Sequence, residues 1–137
     1  LFLVVIILDG LVLARSVFHH SMNYRSAVIY GHAREIEGDE KMEALRIISD
    51  QILAGRWDEV RPPNELEMKA TTVLAIEIDT ASAKIRTGPP GDDDADYDLP
   101  IWAGVLPMSV TYHDPIEDPA MRFKLPVSKS VSLKFEQ

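Results

Sequence analysis

Apolar positions along this chain come in runs and alternations that mark out its elements. In the opening "LFLVVIILDG", residues 2–8 are apolar without a break, the pattern of a strand buried on both faces. "LDG" at 8–10 is a tight-turn signal, so "LVLAR" at 11–15 is predicted as the return strand of a hairpin. A polar cluster at 16–22 interrupts it, and "NYRSAVIYGHAREI" at 23–36 reads as a longer strand. Tyr24, Ser26, Val28 and Tyr30 then share one face, and Asn23, Arg25, Ala27 and Ile29 the other. Gly31 marks a bulge or a close backbone approach.

The period then changes to that of a helix, predicted at about 39–54, with Asp39 or Gly38 as cap and Gly55 as terminator. Met42, Leu45, Ile48 and Ile52 form its apolar stripe, joined by Leu53, and are read as core. "RPPNELEMKA" suggests a turn and a short helix from Pro63 or Asn64. Residues 71–79 and 82–87 alternate as two strands, 88–100 form a long acidic loop, and 101–113 form another strand. Pro107 confines that last strand to a bulge or a sheet edge. Residues 114–137 are weakly patterned, a tail with one short extended piece. Strands, a helix and strands again, without βαβ alternation, favour an α+β fold: an antiparallel barrel with a helix packed outside.

Composition narrows the chemistry. The 137 residues fit one domain. A net charge of −8 disfavours nucleic-acid backbones and anionic membranes as partners. The absence of cysteine excludes disulfides, thiolate zinc sites and cysteine nucleophiles, and is compatible with a reducing cytoplasm. The apolar start is far shorter than the ~20 residues that span a bilayer, and it lacks the marks of a signal peptide. The chain opens in mid-strand without a methionine, so an N-terminal portion is expected to be missing.

The polar clusters can be weighed in turn. His19 and His20 are adjacent and would point to opposite faces, a poor metal pair, and His32 and His113 have no carboxylate at useful spacing. No nucleophile elbow accompanies Ser21, and the aspartates at 92–98 lack calcium-loop spacing, so a solvated loop is expected there. A phosphate-bearing ligand fits better. Arg25 can grip phosphate with both ends of its fork, with Ser21, Asn23 and Ser26 as neutral donors nearby. Lys84 and Arg86 share a strand face and could add charge. The bland alternatives are a surface ion pair for Arg25 and an ordinary exposed cation pair for Lys84 and Arg86. Trp102, between proline and small residues, either borders a flat groove or plugs a barrel end.

Three strings in order, "LDGLVLARSVFHHSMNYRSAVIYGHA", "GRWDEVRPPNELEMKAT" and "SAKIRTGPPGDDDADYDLPIWAGVLP", resemble the pyridoxamine 5′-phosphate oxidase-like flavin-binding proteins, closest to the nitroimidazole-resistance-type subgroup. The resemblance covers about residues 2–107. It implies a split β-barrel with one or two packed helices over 1–113, a tail at 114–137, and a homodimer with FMN in a groove at its interface. On this reading His20, Ser21, Asn23, Tyr24, Arg25, Lys84 and Trp102 contact the flavin. The implied activity is electron or hydride transfer between a donor such as NAD(P)H and a small organic substrate, in the cytoplasm. The rival is a non-enzymatic protein that holds flavin or another cofactor for storage, sensing or transfer. Family members usually carry a helix and two or three strands ahead of "LFLVVIIL", segments that supply much of the phosphate grip.

Overall fold

A computed structural model describes residues 1–135. The chain divides into two compact units: residues 1–32 with 76–110, and residues 33–75 with the segment from 111 onward. Its sheet is four-stranded in the order β3-β2-β1-β4. The strands are β1 (Phe2–Leu13), β2 (Ser21–Ile36), β3 (Val73–Arg86) and β4 (Gly104–Pro107), and the helices are α1 (Gly38–Ile52), α2 (Glu65–Ala70) and α3 (Lys129–Phe135). The antiparallel α+β fold expected from the pattern is present. Among the described residues no helix is long and apolar enough to cross a membrane.

"LDG" is not a hairpin turn. β1 runs straight through it, antiparallel to β2 from Phe2↔Tyr30 to Val12↔Ser21, with a register shift between Leu8 and Gly10. Asp9 is therefore the extra residue of a β-bulge. An Asp-Gly pair fits a bulge as well as a turn, because both need a locally irregular backbone. Gly10 has a further reason to be glycine: an added Cβ would come within 3.0 Å of the Leu106 carbonyl oxygen on β4. The reversal falls instead at the 3-10 turn Val17–His19, capped by the Ser16 side chain accepting from the Phe18 amide.

The predicted strands at 71–79 and 82–87 are one continuous strand, β3. β4 is only four residues long and lies at a sheet edge, as Pro107 requires. Gly31 makes the predicted close approach. A Cβ there would collide with the Glu77 backbone and meet Ile76 Cγ2 at 3.0 Å.

Two expectations about burial fail. Leu1–Leu8 are not buried on either face; each side chain is 42–68% exposed. β4 pairs β1 only over residues 10–13, so among the described residues no strand pairs the outer edge of Phe2–Leu8. The apolar run is intrinsically suited to burial, but nothing among the described residues covers it. The α1 stripe is likewise not core: Met42 and Leu45 are half-buried, and Ile48 and Ile52 are exposed. The side chain that goes inside is Lys41, only 8% exposed, whose Nζ donates to the Met68 carbonyl at 2.7 Å.

α2 starts where the sequence signals it. Asn64 accepts from the Glu67 amide, and the Glu67 carboxylate accepts from the Asn64 amide, a reciprocal cap. The C-terminal segment carries α3 rather than an extended piece, and Glu59 anchors it by accepting from the amide and hydroxyl of Ser130.

Candidate functional site

All seven predicted contact residues lie in the first unit, on or beside the sheet. β2 splits them between faces. Tyr24 stands opposite Leu8, and Arg25 opposite Ile7, so neighbours along the strand point opposite ways.

One group assembles where β2 meets β3. Asn23 is buried, with its Oδ1 accepting from Arg86 Nη1 at 2.5 Å and its Nδ2 donating to the Gly88 carbonyl at 3.1 Å. Gly88 has φ +103°, a left-handed backbone that glycine adopts without strain. That turn brings its carbonyl back to the strand. Beside this group, Lys84 Nζ sits 5.9 Å from the centre of the Tyr24 ring, within cation–π range. The flank thus carries two separate pairs, a buried amide that fixes a guanidinium and an ammonium close to an aromatic ring.

The other predicted residues are placed differently. Arg25 grips Asp9 with Nε to Oδ2 at 2.9 Å and Nη2 to Oδ1 at 2.8 Å. The bland ion-pair alternative is thus realised in this structure, through the bulge residue Asp9. These hydrogen bonds hold the Asp9 carboxyl below its usual range, against the opposing effect of desolvation. His20 Nε2 donates to the Ala14 carbonyl at 3.2 Å. Ser21 is exposed and opposes Val12. Trp102 is 70% exposed and so is no core plug; its ring lies against Gly104, where a Cβ would meet Cζ2 at 3.1 Å. It precedes β4, at the opposite sheet edge from Lys84 on β3.

Sequence reasoning missed a second polar centre. The side chain of Asp92 is fully buried, and its carboxylate accepts from the amides of Arg15 and Ser16 and from Arg15 Nη1 at 3.0–3.2 Å. Tyr97 lies 4.6 Å from the Arg15 guanidinium carbon. Burial alone would raise the Asp92 carboxyl, but the amide and guanidinium hydrogen bonds outweigh it and hold the group below its ordinary value. The acidic loop is therefore tied down at its first aspartate rather than solvated throughout. The available signal was the lone Arg15 closing an apolar run. It could not be matched to one aspartate among several.

Comparison with known proteins gives the family. Residues 3–85 match the family described as pyridoxamine 5′-phosphate oxidase. The structure is similar to that of the flavocytochrome Anf3 from Azotobacter vinelandii, with TM-score 0.86, 39% identity, and coverage of 97% of this chain and 63% of that one. It is also similar to an FAD- and haem-binding protein from Mycobacterium smegmatis, with TM-score 0.87, 36% identity, and coverage of 97% of this chain and 66% of that one. The chain thus spans less than two-thirds of the length of either solved relative. No curated protein matches it. By the residues matched and by the identity with its solved relatives, the chain belongs to the pyridoxamine 5′-phosphate oxidase family.

Proposed function

We propose that this chain binds FMN and acts as a flavin-dependent oxidoreductase on a small organic substrate, as a homodimer in the cytoplasm. The observation that carries the reading is the β2–β3 flank: Asn23 fixing Arg86, and Lys84 over Tyr24, in a member of a family whose similar structures include a flavocytochrome. Bound flavin would supply the hydride or electron transfer. The protein's part is to hold and orient it. Lys84 and Arg86 would offer positive charge to the phosphate or to the flavin edge that becomes anionic on reduction. The Tyr24 ring would lie against a planar group, and Asn23 would keep Arg86 from relaxing into solvent. Arg25 would contribute by exchanging Asp9 for phosphate. His20, with Nε2–H already committed to Ala14, would present Nδ1 to the flavin, and Ser21 a hydroxyl. Trp102, open on one side, would border the groove.

The dimer is supported by exposed apolar strand. Fully burying one such side chain stabilises by ~1.5–3 kcal/mol, so the half-exposed run Phe2–Leu8 leaves on the order of 5–10 kcal/mol for a covering surface to recover.

Titration of the protein into FMN, read by quenching of flavin fluorescence, tests the binding. Saturable quenching that Lys84→Ala weakens several-fold is expected; unchanged affinity would remove the β2–β3 flank from the site. FAD titrated in the same way decides between the two flavins. Bleaching by NADPH, followed by reoxidation with an added acceptor, separates an enzyme from a carrier. A second reading, a protein that holds haem beside flavin, is favoured by the flavocytochrome and the FAD- and haem-binding protein that the structure resembles.

A further inference from the structure

The His20 imidazole reaches back along the chain, where Nε2 donates to the Ala14 carbonyl at 3.2 Å. That carbonyl belongs to the peptide joining Ala14 to Arg15. The N–H of the same peptide donates to both carboxylate oxygens of Asp92, at 3.0 and 3.1 Å. The peptide is trans, so its N–H and C=O point to opposite sides. One peptide plane is thus gripped by a carboxylate on one side and an imidazole on the other. Asp92 also governs the backbone that leads to His20. Its Oδ1 accepts from the Ser16 amide at 3.2 Å. Ser16 starts the turn before His20, its carbonyl accepting from the His19 amide and its hydroxyl from the Phe18 amide.

We propose that Asp92 is a positioning residue for the flavin site, setting the direction and the hydrogen placement of the His20 imidazole through the Ala14–Arg15 peptide. The inference rests on the reading above in which His20 faces the flavin. An ionised acceptor polarises the peptide N–H that it binds, and the carbonyl of that peptide becomes the stronger acceptor in turn. A stronger acceptor favours hydrogen on the nitrogen that faces it, here Nε2. Asp92 is suited to this because it cannot turn away: its side chain is fully buried, and Arg15 Nη1 donates to Oδ2 at 3.1 Å. Asp93 makes the contrast. It stands beside the neighbouring histidine, His19, but at 3.6 Å and with its side chain 83% exposed, where solvent weakens the pairing.

Proton–nitrogen correlation spectra of the full chain without flavin test the relay directly. The hydrogen-bonded His20 ring hydrogen should give a signal near neutral pH, one that His20→Ala removes. Asp92→Asn, which keeps the shape and loses the charge, should broaden or abolish that signal, and Asp93→Asn should leave it. His20→Ala probes the relay from the other end, with Asp92 in place. There the Arg15 amide resonance should move upfield, because its peptide has lost the donor on the far side. A ring signal unchanged in Asp92→Asn, or an Arg15 amide unmoved in His20→Ala, would overturn the proposal. Quenching of FMN fluorescence reads the consequence. Asp92→Asn should weaken binding several-fold, as His20→Ala does, and the double variant no further. Losses that simply add would leave Asp92 as a tether for its loop and also defeat the proposal. The two readings fail separately. A parent chain that does not quench FMN sinks the flavin site, whereas quenching with an unchanged ring signal in Asp92→Asn sinks the positioning role alone.

Discussion

Arg25 holds Asp9 with both ends of its guanidinium, on a surface where solvent makes such pairs weak. A phosphate dianion is the stronger partner for that fork, so a flavin phosphate at this position would displace Asp9. Arg25→Ala should then weaken FMN binding several-fold, and Arg25→Lys nearly as much, because an ammonium cannot fork. Asp9→Asn should tighten it by freeing the guanidinium. Fluorescence titration of the three variants checks this, and equal affinities throughout would leave Arg25 to its ion pair. The sequence presented Arg25 with two futures and could not choose. Its partner lies sixteen residues away, across a ladder whose register shifts by one at Asp9 itself. Trp102 was ambiguous for a related reason: "PIWAG" fits a plug or a rim, and only the fold sets its exposure.

At the scale of elements, local chemistry was the most legible. Gly31 announced a close approach, Pro107 an edge, and Asn64 a helix start, since each is dictated by backbone sterics or a neighbour a few residues away. The turn assigned to "LDG" and the break assigned near 80–81 were wrong. Turn-forming residues also serve bulges and irregular strand, and only the partner strand decides. Gly31→Ala should destabilise by about 3 kcal/mol or more, since the obstacle is Glu77 backbone that cannot step aside; the midpoint of urea unfolding measures it. The α2 cap makes a pH prediction. Hydrogen bonds from Arg61, then from the Asn64 amide, hold Glu67 down at about 2 from an ordinary 4.5. A depressed carboxyl stabilises the fold above its unfolded pKa and loses that contribution as pH falls through the folded one. Stability should therefore drop between about pH 4.5 and 2 by an amount that Glu67→Gln removes. Denaturant melts of both proteins across that window would show the difference.

The molecule as a whole was least legible where burial depends on other surfaces. Period and composition identify Phe2–Leu8 as a strand fit for a dry interior, and no local signal says whether its own chain will cover it. The protein should sediment as a dimer in a concentration-dependent way, and Val5→Lys, which puts charge on the bare stretch of β1, should shift it toward monomer. Equal sedimentation of the two proteins would place the contact elsewhere. Because β4 reaches only residues 10–13 of β1, thermal melting should not be a property of the lone polypeptide. If a second copy covers the bare strand, each tenfold dilution should lower the apparent melting temperature, and the same preparation would look robust in a crystallisation drop and fragile in a dilute assay.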